Sequence, residues 1–187
     1  LTSANVNESF YLIRSNATPI NVKQCTINID SELTDVASNE INWAILHNRN
    51  NKTWTVENVT VTMSDAALKQ TELYVTKCTT KQGVPSGGVI DHTNLTVNGK
   101  EYIAEGVLKN NEGEYEIYKA DGLSYFSGKK VEGTINLLAD IDMKENIFNT
   151  MLVTYSKTLV FNGNDKTIKN IKLVDAGHNG NVGCTSL

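Results

Sequence analysis

Three groups of side chains in this chain could do chemistry: an acidic pair, scattered histidines and cysteines, and two tryptophans around an amide-rich loop. Asp140 and Asp142 lie in Ile135-Asn136-Leu137-Leu138-Ala139-Asp140-Ile141-Asp142-Met143. On a strand, residues two apart share a face, so these carboxylates could hold one calcium ion or divide the roles of acid and base. In the competing reading, which is the expected one, Leu138, Ile141 and Met143 pack inward and the acids meet solvent or close a turn. His47, His92 and His178 have no Ser, Cys or carboxylate arrangement that suggests a triad or a metal site, and His178 sits in a loop-like Gly177-His178-Asn179-Gly180. Cys25, Cys78 and Cys184 contain no Cys-x-x-Cys pair and no nearby His at ligand spacing, so buried thiols are expected rather than zinc ligands. Trp43 and Trp54 bracket His47 to Thr53, where Asn48, Arg49, Asn50 and Asn51 could hydrogen-bond a sugar stacked on a ring. In the competing reading, which is the expected one, Trp43 packs in the core and the Asn run is a turn.

The elements that must position these groups read as strands. Asn, Thr, Val and Ile abound, only Pro19 and Pro85 interrupt, and period-two alternation recurs. It is found at Phe10–Arg14, Val22–Ile29, Asn42–Leu46, Val56–Met63, Leu73–Val75, Ile135–Leu138 and Ile168–Val174. Internal repetition narrows the choice among all-β folds. Asn21-Val22-Lys23-Gln24-Cys25-Thr26-Ile27, Thr55-Val56-Glu57-Asn58-Val59-Thr60-Val61 and Thr167-Ile168-Lys169-Asn170-Ile171-Lys172-Leu173 share one pattern. With Val22, Cys25 and Ile27 inward, the amide residue between the first two turns a corner, which Asn tolerates because it enters the left-handed region. Short strands joined by such corners build a parallel β-helix, each coil burying its inner face against the next. An antiparallel β-sandwich is the alternative, kept open by the hairpin-prone pairs Asn98-Gly99 and Asn162-Gly163.

Composition limits the partners. The 187 residues carry a formal net charge of −4 with mixed signs and no basic stripe, which argues against nucleic acid. Apolar runs such as Ile135 to Ile141 fall far short of the roughly 20 residues a membrane span needs. The chain starts at Leu1, as expected if a signal peptide has been removed or the sequence begins inside a longer protein. Sequons at Asn16, Asn58 and Asn94 are expected by chance in so Asn- and Thr-rich a chain.

A family resemblance lies in the second half. Tyr115 to Phe126 reads as a strand followed by a short amphipathic helix, then come Ile135 to Met143 and Leu159-Val160-Phe161-Asn162-Gly163-Asn164-Asp165-Lys166-Thr167-Ile168. Over roughly residues 113–183 this order resembles the adhesin-like surface β-helix proteins of gut Bacteroidetes, associated with a Gly-Leu-Phe-Gly-type repeat. The resemblance implies a right-handed parallel β-helix with a short capping helix. This chain departs from the pattern where Asn162-Gly163-Asn164-Asp165-Lys166 replaces Asp-Gly-Asn-Gly, and where Gly183-Cys184-Thr185-Ser186-Leu187 replaces Gly-Leu-Phe-Gly. Residues 10–78 resemble middle coils, so opening-type motifs follow them.

Residues 1–98 are therefore expected to form β-helical coils, and residues 99–187 a connector, capping helix and opening coils, in two units or one continuous domain. The implied role is a secreted or cell-surface adhesin or scaffold module. Its partner would be an extracellular glycan or surface protein, with self-association through solenoid ends and no cofactor. The ligand contacts in that role would be Trp43, Asn48, Arg49 and Trp54. A polysaccharide lyase or glycoside hydrolase using Asp140 and Asp142 is the alternative.

Overall fold

A computed structural model describes residues 11–29, 43–70, 73–80, 84–127, 129–143, 147–148 and 158–173. The first part comprises β1 (Tyr11–Ser15), β2 (Asn21–Ile29), β3 (Trp43–Asn48), β4 (Thr53–Met63), α1 (Asp65–Lys69), β5 (Leu73–Lys77) and β6 (Val89–Val97). The chain alternates between two sheets here. β1, β3 and β5 pair in parallel in one, and β2, β4 and β6 pair in parallel in the other.

The repeat seen in the sequence is the pairing register of this second sheet. Val22 lies beside Val56, Cys25 beside Val59 and Ile27 beside Val61. His92, Leu95 and Val97 extend the same columns into β6. Within β4 the buried residues run Trp54, Val56, then Val59, Val61 and Met63. The step of three marks one residue at a corner, and Asn58 is there with φ 54°. Gln24 (φ 53°) and Asn94 (φ 53°) occupy the same corner in β2 and β6. Their amides suit the left-handed region, and the Asn94 amide donates to Asn58 Oδ1 at 2.9 Å.

At Asn98-Gly99, with φ 51° and 76°, the chain makes a two-residue hairpin from β6 into β7 (Lys100–Ala104). Two positive φ values fit the twist of an antiparallel ribbon. β8 (Val107–Lys109) and β9 (Tyr115–Ile117) continue the antiparallel meander. After α2 (Ala120–Phe126), β10 (Gly133–Leu137) pairs in parallel with β9. The rest is β11 (Ile141–Asp142), β12 (Ile147–Phe148), β13 (Leu159–Asn162), β14 (Ile168–Lys169) and β15 (Lys172–Leu173). β13 pairs in parallel with β10, β14 with β11 and β15 with β12. The long sheet thus runs β13-β10-β9-β8-β7-β6-β4-β2. Three antiparallel steps separate its two parallel ends, so those ends point in opposite directions.

Burial switches sides along this sheet. Tyr102, Leu108 and Tyr118 pack into a first core with Trp54, Val59 and Leu95. Their sequence neighbours Ile103, Val107 and Ile117 pack into a second with Leu123, Ile135 and Ile141. Successive strand residues face opposite ways, so β7 to β9 are shared between the two cores.

The described residues are mainly strand, in accord with an all-β chain. Three expectations need correction. Pairing is mixed rather than parallel throughout, because the Asn98-Gly99 turn reverses the chain. Thr167–Leu173 does not stack on the other repeats; it lies on β11 and β12, although Asn170 keeps the corner angle at φ 58°. Asn162-Gly163 forms no hairpin: Asn164 and Asp165 take positive φ, and Lys166 N–H donates to Gly163 O at 2.9 Å.

Candidate functional site

Asp140 and Asp142 flank the buried Ile141, as alternation requires. Both reach the neighbouring strand. Asp140 accepts the Thr167 backbone N–H at 2.9 Å. Asp142 accepts the Asn170 amide at 2.7 Å and pairs with Lys169 at 3.3 Å. These bonds tie β11 to the segment around β14. Among the described residues no three His, Cys, Asp or Glu side chains gather as metal ligands.

Trp43 and Trp54 lie in the first core, while Asn48 and Arg49 stand at the far end of β3, buried and half-buried. Trp43 and Trp54 are 6% and 0% exposed. Burial leaves neither ring a face for a sugar, and Trp43 packs in the core as the preferred reading had it. Asn48, also fully buried, serves the backbone. Its amide donates to Lys52 O at 2.7 Å and Val89 O at 3.1 Å, and its Oδ1 accepts the Asn50 N–H at 3.1 Å. Asn50 in turn donates to Ser15 O and Thr18 O at 3.3 and 3.2 Å. Arg49 is half-buried, and its N–H donates to Ser15 O at 3.0 Å. The amide run therefore clamps successive turns to one another. Buried backbone groups need such partners where no ladder continues.

His47 stands in a column with Arg14 and Lys77, its register partners in β1 and β5. Its Nε2 lies 3.1 Å from Thr79 O and 3.0 Å from Thr79 Oγ1. Burial, aided by Lys77, Arg49 and Arg14, lowers its pKa to about 4. His92 is half-buried and meets Tyr102 edge to face at 5.3 Å. Cys25 and Cys78 are free and partly buried, and burial raises the Cys78 thiol. His178 and Cys184 lie outside the described residues.

A cleft of about 490 Å³ opens beside β5, lined by Tyr74, Thr76, Lys77, Cys78, Glu105 and Asp121 among others. Glu105 belongs to the two-residue turn between β7 and β8, and Lys119 immediately precedes α2. Their side chains, 12% and 3% exposed, form an ion pair at 2.5 Å. Glu105 Oε2 also accepts the backbone N–H of Val75 at 2.9 Å and Thr76 at 3.3 Å, and the Tyr102 hydroxyl at 3.2 Å. Lys119 donates to Leu73 O. Burial and the negative charge of Glu105 push the Tyr102 and Tyr118 hydroxyls well above their ordinary range. The same two causes raise Asp121. These groups went unnoticed in the sequence. The signals were a Glu-Gly pair between alternating runs, and a lysine inside the apolar Ile117-Tyr118-Lys119-Ala120.

No family model matches this chain, and neither do any curated proteins or solved structures. No helix among the described residues is long and apolar enough to cross a membrane.

Proposed function

We propose that β1 to β6 form a section of a right-handed parallel β-helix and that the chain acts as a non-catalytic, secreted or cell-surface module that binds an extracellular glycan or surface protein. Two features support the β-helix reading. The chain alternates between two parallel sheets through β1 to β6, and the left-handed corner repeats at Gln24, Asn58 and Asn94. Crossovers between parallel strands are right-handed in nearly all proteins.

The observation that carries the binding role is the outer surface of β2, β4 and β6. Beyond the corner it presents Thr26, Thr60 and Thr96 side by side, with Asn28 beside Thr62. These side chains are exposed apart from the half-buried Thr96, and none is charged. Before the corner, Lys23 and Glu57 neutralise each other at 3.0 Å. Hydroxyls and amides repeating at about 4.8 Å offer periodic donors and acceptors to a repeating polymer. The acids at 140 and 142, by contrast, are engaged by Thr167, Asn170 and Lys169.

The test is binding of the purified chain to a broad glycan array, with reducing-end and unsaturated products monitored on the same polysaccharides. Binding without product is expected, and Thr60→Glu should weaken it about tenfold or more, since it buries an uncompensated charge against a neutral ligand. Product release abolished by Asp140→Asn would replace this reading with an enzymatic one.

A further inference from the structure

We propose that the buried Glu105–Lys119 pair is a strand mimic that seals the edge of the β1-β3-β5 sheet and keeps a strand of a second copy from adding to β5. The need for a seal follows from topology. At β6 the long sheet finds its next strand in β7, whereas the other sheet ends at β5. An uncovered strand edge presents unpaired N–H and C=O groups and is a template for association.

The chain that diverts into the meander also supplies the seal. A next strand would accept the Val75 N–H and donate to the Leu73 C=O. Glu105 accepts that N–H at 2.9 Å, and Lys119 donates to that carbonyl. One acceptor and one donor, locked to each other by charge, thus stand where a backbone would. Sealing explains why ions are used at so buried a place. Burying two charges costs several kcal/mol, and well-packed apolar residues often serve stability equally well. Apolar residues could not bond Leu73 O or Val75 N–H, and an unsatisfied buried backbone group is itself costly. The excluded occupant is a second copy because an exposed edge can pair antiparallel with itself about a two-fold axis.

The test uses the full chain and the double variant Glu105→Met with Lys119→Met, which removes both the acceptor and the donor while leaving unbranched side chains of similar bulk in their place. Light scattering after gel filtration is expected to show the folded variant gaining one more copy than the unaltered protein as concentration rises. Val75 amide exchange in the dilute variant should be faster by about tenfold or more, because the local opening cost falls. A folded variant matching the unaltered protein in mass at every concentration would overturn the proposal. So would a variant that fails to fold, which assigns the pair to core stability. An unprotected Val75 amide in the unaltered protein would overturn it without any variant.

Discussion

Replacing Asn58 by alanine leaves the strand alternation intact but puts a residue with no side-chain hydrogen bond at φ 54°. It also removes the acceptor of the Asn94 amide. The expected loss is about 1–2 kcal/mol in urea unfolding, with Asn58→Gly losing less because glycine enters the left-handed region freely. His47 supplies a pH signature. Its folded pKa of about 4 lies below the ordinary 6.5, so the unfolded chain takes up the proton first. Its contribution to stability is complete above about pH 6.5 and is lost as pH falls toward 4, with a slope of at most about 1.4 kcal/mol per pH unit. In urea midpoints measured between pH 7 and 5, His47→Gln should flatten that part of the profile. Residue types foretold the corner role of Asn58, since the preference is local. They did not foretell that Asn48 serves Val89, a partner brought close only by stacking.

At the scale of elements, α2 is placed by a glycine contact. A Cβ on Gly122 would meet Gly106 O at 2.3 Å, and one on Gly106 would meet Gly122 N at 2.3 Å. Both near atoms are backbone, so neither can rotate away. Gly122→Ala should therefore shift the helix off the β7–β8 turn at a cost of about 1–3 kcal/mol, read as a lower thermal midpoint with altered near-ultraviolet dichroism. The strand-then-helix order of Tyr115 to Phe126 was legible in the sequence, whereas the hairpin signal of Asn98-Gly99, held only for the sandwich alternative, was shared by Asn162-Gly163, which forms none. That β9 and α2 would carry Lys119 to the edge of β5 was not legible, because Lys119 and Leu73 are 46 residues apart.

For the whole molecule, the sharing of β7 to β9 between two cores predicts cooperative unfolding. Trp43 and Trp54 belong to the first core, so tryptophan fluorescence reports that side, while far-ultraviolet dichroism reports both. The two transitions should coincide. Leu108→Ala should lower both together by about 2–5 kcal/mol, since Leu108 is fully buried and its neighbour Val107 packs into the other core. Separate midpoints would show two independent units. By itself the sequence determined the all-β character, the columns Val22–Val56, Cys25–Val59 and Ile27–Val61, and the amide corners, all of which follow from local alternation and backbone preference. Tertiary structure alone decided that the two parallel ends run in opposite directions, that the tryptophans are enclosed, and that Glu105 and Lys119 close an edge. The physical reason is the same in each case. Which face of a strand is buried, and which backbone group lacks a partner, depend on what the rest of the chain brings alongside.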